Sequence, residues 1–450
     1  MIGNAGDEWI SARRACGRKA AREGVCVSVC VLCGVLRKAD DMNHNVAGID
    51  VHKKILAVAV GKATESALVF ERRLFGTVGR SLTELAEWLK EQGVERVVME
   101  STAQYWKPVW LALGGSFDLH LAQARSNLAP RGRKTDFRDA ERMVRRLLSG
   151  DLTLSFVPGA EQRQWRLPAR GKYQLRRDRV RLQNQLEGLL EEGRIKLSSV
   201  VTDLLGLSGL RILRALAAGE DDAEKLASLA DTRLRVSRED LAEALRGSVT
   251  TLQRVLLRQL LTRLDLIDTQ IRELDQTLAK EMERYSEAIQ RLSEIPGMGP
   301  DAAAQIVAEI GPQAGAFAAP EKLASWVGVC PGRQESAGQS TSNRSPKGNR
   351  AMRRILTEVA FAAVKTKDSH FQEVFRRLAP RLGVNKAIWA IAHRLCRLIW
   401  KLLHEGVTYR EQGARGQDPQ AIRKRARKLI GDLRRLGYTV LIEEPTPKTA

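Results

Sequence analysis

An α/β amino-terminal domain, then a long α-helical, coiled-coil segment, then a mainly α carboxy-terminal domain with a helix-hairpin-helix-like element is the fold class this sequence predicts. Three observations predict it. Short β-branched runs alternate with amphipathic helical patterns up to residue 158; after Pro158 the strand patterns stop and long helical periodicities take over; and a Gly-x-Gly turn ahead of an Ala-rich helix opens a third region. At 450 residues the chain exceeds what one core fills. It divides on this reading into an extension (1–44), the α/β domain (45–158), a helical linker and coiled coil (159–290), the third domain (291–405) and a basic tail (406–450).

In the first domain, VAGIDVHKKILAVAV (residues 46–60) holds two apolar runs around His52-Lys53-Lys54, a hairpin signal. A third strand is expected over 67–75. Ser81 then caps a helix, with Glu84 three residues on completing a capping box and Leu82, Leu85, Ala86 and Leu89 as its apolar stripe up to Gly93. A fourth strand over 94–99 ends at Glu100, and a helix (104–113), a fifth strand (117–121) and a helix (136–148) follow. The order β-β-β-α-β-α-β-α implies a mixed sheet with helices packed on it.

In the linker, residues 163–196 carry ten Lys or Arg against four acids on one helical pattern. Leu260, Leu264, Ile267, Ile271, Leu274 and Leu278 then alternate spacings of four and three, a heptad seam that serves either packing between two long helices or an oligomerisation arm. In the third domain, IPGMGPDAAAQIVAEIG (295–311) sets Gly297 and Gly299 just ahead of a helix, where backbone N–H groups can receive a DNA phosphate.

The net charge of +21 and pI near 10.1 favour a polyanionic partner, nucleic acid first, because every phosphate neutralised releases counterions. No apolar run reaches the ~18–20 residues of a membrane span. Residues 25–36 resemble a signal-peptide core in length, without a cleavage site after them. Cys26, Cys30 and Cys33 there have a C-x3-C-x2-C spacing that iron–sulfur ligation uses, but no barrel-like βα succession follows. We read the segment as a disordered upstream extension, with Met42 a candidate start. Cys330 and Cys396 stand far apart, which fits a reducing, cytoplasmic, nucleoid-associated setting.

Four carboxylates form the first chemical pattern. Asp50 lies in the first strand, Glu100 ends the fourth, and Asp136 and Asp139 stand in the first turn of the helix after the fifth. First and fourth strands are neighbours in such a sheet, and a spacing of three puts both aspartates on one helix face. Four gathered acids repel unless cations sit among them. Hard oxygen ligands suit Mg²⁺ or Mn²⁺, and two such ions about 4 Å apart stabilise the attacking and leaving oxygens of a phosphodiester. Arg131, Arg133, Lys134 and Arg138 would then hold the phosphates.

The second pattern is SAGQSTSNRSPKGNRAMRR (336–354). Arg344, Lys347, Arg350, Arg353 and Arg354, with Asn349 among them and no acid, suit nucleic acid, and Ser336 is a hydroxyl on a Gly-bearing loop. A serine needs a base or a metal ion to become a nucleophile. The residues by themselves leave that loop as readily a solvated one.

The chain resembles the IS-one-ten (insertion sequence one hundred and ten) family of transposases. The resemblance rests on GIDVHKK, VVMES, GRKTDFRDAERMVRRLLSGDL, IKLSSVVTDLLGLSG, IPGMGP and SAGQSTSNRSPKGNRAMRR, and covers about residues 46–401. It implies an RNase H-like (RuvC-like) first domain whose Asp-Glu-Asp-Asp set, here Asp50, Glu100, Asp136 and Asp139, binds divalent metal. It also implies a serine nucleophile, matched best by Ser336. This sequence reads SAG where many relatives have Ser followed by Gly, so Ser340 is the alternative. A noncoding bridge RNA that pairs with element-end and target DNA, and a dimeric or tetrameric assembly sharing its active units between subunits, are implied as well. The function expected is thus a DNA transposase and recombinase, cleaving phosphodiesters and exchanging strands through a serine–DNA intermediate. The rival readings are a RuvC-like junction resolvase or nuclease that uses water as nucleophile, which would leave no covalent adduct, and a noncatalytic nucleic-acid scaffold, which would tolerate Asp136→Asn.

Overall fold

The computed structural model describes residues 45–63, 67–100, 103–124, 135–332, 334–336, 339–342, 344–411, 419–435 and 439–441. The chain separates into two compact units, residues 1–157 and 158–450. The amino-terminal extension, Arg131, Arg133 and Lys134 lie outside the described residues.

The first unit is built on a five-stranded sheet: β1 (Asn45–Val51), β2 (Ile55–Ala63), β3 (Leu68–Gly76), β4 (Val94–Glu100) and β5 (Asp118–Ala122), in the order β3-β2-β1-β4-β5. β1 runs antiparallel to β2 and parallel to β4, as the sequence order requires for the first and fourth strands to be neighbours. Helices α1 (Gly79–Glu91), α2 (Trp106–Leu113) and α3 (Asp136–Leu148) complete it.

Strand periodicity sorts the sheet into two faces. Ala47, Ile49 and Val51 of β1 and Val97 and Met99 of β4 pack with Leu82, Leu85, Leu89, Val109 and Leu113 of α1 and α2 in one core cluster. The alternate residues face α3: Val98 joins Met143 in a second cluster, and Gly48 lies directly under the Ala140 carbonyl. Each fully buried Val, Leu or Ile here is worth about 1.5–3 kcal/mol.

Two local expectations are corrected. Helix α1 begins at Gly79, two residues before Ser81, and its N-cap Val78 makes no side-chain cap hydrogen bond. Glu84 accepts a hydrogen bond from Arg80 Nε at 3.2 Å, one turn earlier, so its carboxylate is used along the helix and not in a capping box. The strands also do not end at Pro158. A two-stranded antiparallel sheet, β6 (Gln334–Ser336) and β7 (Gln339–Ser342), lies in the second unit. All its residues are polar or charged, so it shows none of the apolar alternation that announces a half-buried strand.

The second unit starts with the 33-residue helix α4 (Ala160–Glu192), followed by α5 (Leu197–Val200), α6 (Leu207–Ala218), α7 (Ala223–Ser228), α8 (Arg238–Ala244) and the 31-residue α9 (Thr251–Glu281). Arg179 pairs with Asp268 and Lys172 with Asp275, so seven residues back along α4 match seven forward along α9 and the two helices run antiparallel. Leu257, Leu261 and Leu264 of α9 close a buried core with Leu182, Leu186 and Leu190 of α4 and with the short helices. Of the predicted heptad seam, Leu264 lies in this core and Leu260 and Ile267 pack against it. Helix α9 opens with a complete capping box from Thr250 and Gln253.

Helices α10 (Ser286–Ser293), α11 (Pro300–Ile310), α12 (Pro320–Val327), α13 (Arg350–Lys365), α14 (His370–Leu382) and α15 (Val384–His404) follow, and the basic tail contains α16 (Pro419–Arg435). The IPGMGP turn joins α10 to α11. Gly297 has φ +79°, and a Cβ there would lie 2.3 Å from the Ala363 backbone nitrogen, so this glycine lets the turn pack on α13. Asp301, in the first turn of α11, receives Lys172 and Arg176 from α4.

Candidate active site

The α3 face of the sheet gathers the acids. Asp50 shares its face of β1 with Gly48, and Glu100 shares its face of β4 with Val98. The parallel register sets Ile49 beside Met99, which carries the next pair, Asp50 and Glu100, to the carboxyl ends of adjacent strands. Helix α3 begins at Asp136, and Asp136 and Asp139 occupy its first turn, where carboxylates also meet the positive end of the helix dipole.

Gly48 and Gly61 make this convergence possible. A Cβ on Gly48 would sit 2.2 Å from the Ala140 carbonyl oxygen, and one on Gly61 would sit 2.8 Å from a Val144 methyl. Without side chains at these two points α3 lies flat on β1 and β2. Glu141, buried, then anchors the helix laterally by accepting from Arg72 Nε of β3 at 2.6 Å and from Arg145 at 3.1 Å.

The electrostatics record the crowding. Burial pushes the Asp50 carboxyl above the usual carboxylate range; the nearby His52 ring draws it down, and the charges of Asp136, Asp139 and Glu100 push it up again. Asp139 is buried and accepts from Arg142 one turn along, whereas Asp136 is exposed. His52 Nε2 lies 3.3 Å from Asp50 Oδ2 and 3.4 Å from Asp136 Oδ1. One donor atom from each of Asp50, His52 and Asp136 falls within 4.8 Å of the others, a spacing from which a single metal ion can be held. A buried carboxylate surrounded by like charges is stabilised by a divalent cation, so the donor set fits such an ion. His52 was absent from the residues singled out by sequence; its signal was the Asp-x-His spacing, which in an extended chain places both side chains on one face.

The basic pattern of the second unit divides in two. Asn349 caps α13 through its side chain and donates from Nδ2 to Glu309 at 3.0 Å. Arg353 donates to the carbonyls of Gly328 (2.7 Å) and Pro346 (2.6 Å) and lies over the Trp389 ring, and Arg354 bonds Glu358 and Gln305. These three hold the fold together. Arg344, Lys347 and Arg350 are exposed. Arg138, on the other unit, is exposed as well.

The segment that carries the exposed cations packs closely against its neighbours. A Cβ on Gly348 would meet the Val327 carbonyl at 2.1 Å, and one on Gly332 the Arg344 carbonyl at 2.1 Å. Trp389 Nε1 donates to Ser345 Oγ at 2.7 Å. Glu309, 1% exposed, accepts both guanidinium hydrogen bonds of Arg170 and the Asn349 amide, with Arg166 3.3 Å away. Ser336 is the last residue of β6, opposite Gln339, and Ser340 pairs with Glu335, so both serines belong to a hairpin and not to an open loop.

Among the described residues no helix is long and apolar enough to cross a membrane. Two family models match the chain: a DEDD transposase model over residues 47–194, and the model of the transposase IS116/IS110/IS902 family over residues 289–376. A Pseudomonas aeruginosa protein named "Probable family 20 transposase" is 26% identical over 376 residues, covering 82% of this chain and 99% of that protein. The transposase for insertion sequence element IS1111A of Coxiella burnetii is 24% identical over 385 residues, covering 83% of this chain and 93% of its own.

Proposed function

We propose that in this chain, which carries both transposase domains of the IS110 family and belongs to it as an enzyme that cleaves DNA and transfers strands, Asp50, Glu100, Asp136 and Asp139 would hold divalent metal, Mg²⁺ or Mn²⁺, and Ser336 supplies the hydroxyl that attacks DNA. The observation that carries this reading is the convergence of strand-end and helix-start carboxylates on one face of the sheet, with Asp50 pushed up by burial and by its acidic neighbours. When bound, the metal would supply positive charge to the phosphate oxygens and to the attacking and leaving oxygens.

The chain's own groups do the rest. Arg344, Lys347 and Arg350, with Arg138, Arg131, Arg133 and Lys134 on the other unit, receive backbone phosphates and set the register of the DNA. Ser336 Oγ forms a bond to phosphorus as the bond from phosphorus to one sugar oxygen breaks; the serine proton leaves and the departing sugar oxygen takes one up. Attack on the phosphoserine by a different strand's hydroxyl reverses the step, so strands rejoin without hydrolysis.

We assign part of the positive charge of the chain, whose net is +21, to a noncoding guide RNA that pairs with element-end and target DNA, and the carboxylates and serine of one reaction to a dimer or tetramer of this chain. The test is an adduct trap with element-end DNA. A covalent protein–DNA species that disappears in Ser336→Ala and survives in Ser340→Ala is the expected result; an adduct that persists in Ser336→Ala overturns the assignment. Cleavage by the wild type with free ends and no adduct would favour water as nucleophile.

A further inference from the structure

The turn after β1 carries a residue that the Asp-Glu-Asp-Asp set does not account for. His52 follows Asp50 by two positions, and its backbone N–H donates to the Ile55 carbonyl at 3.1 Å, which fixes it at the mouth of the β1–β2 hairpin. Extended chain repeats its face every two residues, so the imidazole stands on the Asp50 side of the sheet. Its Nε2 bridges the two acids at 3.3 and 3.4 Å.

Those separations are informative. Two ligand atoms about 2.1 Å from one ion lie about 3.0 Å apart at a right angle and about 3.4 Å apart at a tetrahedral angle. The two separations from His52 Nε2 are therefore those of edges of a coordination polyhedron, and the third pair, Asp50 with Asp136, lies within the 4.8 Å over which one ion can gather all three donors. The side chains of His52 and Asp136 are about half exposed, at 51% and 55%, which leaves further positions open to water and to phosphate oxygens.

We propose that His52 is a nitrogen ligand of this metal centre and that it tilts the site from Mg²⁺ toward Mn²⁺. The inference rests on the carboxylate reading above and adds a donor to it. Imidazole is a softer ligand than carboxylate or water, and replacing one oxygen by nitrogen favours a transition-metal ion over the harder Mg²⁺. The alternative role, an imidazole that merely bridges two carboxylates, makes no metal–nitrogen bond.

Pulsed electron paramagnetic resonance of Mn²⁺ bound to the full-length chain separates the two. The expected result is a ¹⁴N modulation from directly coordinated nitrogen in the wild type, lost in His52→Ala and in His52→Gln, with Mn²⁺ affinity falling at least the roughly tenfold typical of losing a supporting group, and with Mg²⁺ affinity falling less. Bound Mn²⁺ that shows no nitrogen modulation in the wild type, or a modulation unchanged in His52→Ala, overturns the assignment. An Asp50→Asn arm keeps the two readings distinct: binding that depends on Asp50 but shows no nitrogen defeats the His52 ligand alone, and binding indifferent to Asp50 defeats the carboxylate centre with it.

Discussion

Gly48→Ala is the most direct test of how this fold makes its site. The added methyl would lie 2.2 Å from the Ala140 carbonyl oxygen and 3.0 Å from a Val144 methyl. Ordinary contact begins at 3.4 Å, so α3 must retreat by 3.4 − 2.2, about 1.2 Å, or β1 must give way. Neither movement is easy, since β1 is hydrogen-bonded on both sides and Glu141 ties the helix to β3. Overpacking of this kind costs about 1–3 kcal/mol, and for a unit of this size lowers the melting temperature by on the order of 5–10 °C. The functional cost is larger, because the helix that moves carries Asp136 and Asp139. A displacement near 1 Å costs roughly a hundredfold in rate when it falls on groups that position reacting atoms. DNA cleavage and Mn²⁺ binding, measured at a temperature where circular dichroism shows the variant folded, should therefore fall together. Gly79→Ala is the control: it lies in the same unit, nothing stands within 4 Å of its added methyl, and both readouts should stay within about twofold. A Gly48→Ala protein that melts and cleaves like the wild type would refute the claim that close approach of α3 assembles the carboxylates.

Two further outcomes bear on the second unit. Burial alone would raise the Glu309 carboxyl, but the hydrogen bonds and charges of Arg170 and Arg166, with the Asn349 amide, hold it below its usual range. Its stabilisation is therefore present above the unfolded value of about 4.3 and lost as pH falls through the folded one; calorimetry should show Glu309→Gln about 3–5 kcal/mol less stable at neutral pH and less sensitive to acid, and parallel pH profiles would count against the network. Lys347→Ala and Arg350→Ala should each lower the slope of log binding constant against log salt for element-end DNA by about one, while Arg353→Ala should mainly lower stability, because its guanidinium holds the Gly328 and Pro346 carbonyls; an unchanged slope in the first two would remove them from the DNA contact.

Much of the first unit was legible because its signals are local. Short apolar, β-branched runs located β1, β2 and β4, and helical spacing located α3 with both ends as expected. The neighbouring of the first and fourth strands followed from the order of the elements. What escaped was non-local or lacked apolar contrast. The β6–β7 hairpin is polar throughout. The buried ion pairs of Lys172 and Glu309 join residues more than a hundred positions apart. The basic run from Arg344 to Arg354 gave the count of cations but not their direction, and direction separates Lys347 and Arg350, exposed, from Arg353 and Arg354, which face their own fold.

Gly48 and His52 show the same limit more sharply, since both stand inside GIDVH, the stretch that pointed to the site. Sequence assigns the aspartate a chemistry because a carboxylate has one; it assigns glycine nothing, because the role of Gly48 is an absence of atoms that only Ala140, ninety-two positions later, can reveal (140 − 48). Yet the two are one device. The bare backbone at Gly48 admits the helix, the helix brings Asp136 and Asp139 toward Asp50, and their charges add to the burial that already raises the Asp50 carboxyl, which a bound cation would relieve. The fold thus accepts a local electrostatic cost at a site that a bound cation would relieve further, and His52, set between two of the acids, is the nitrogen donor placed to join it.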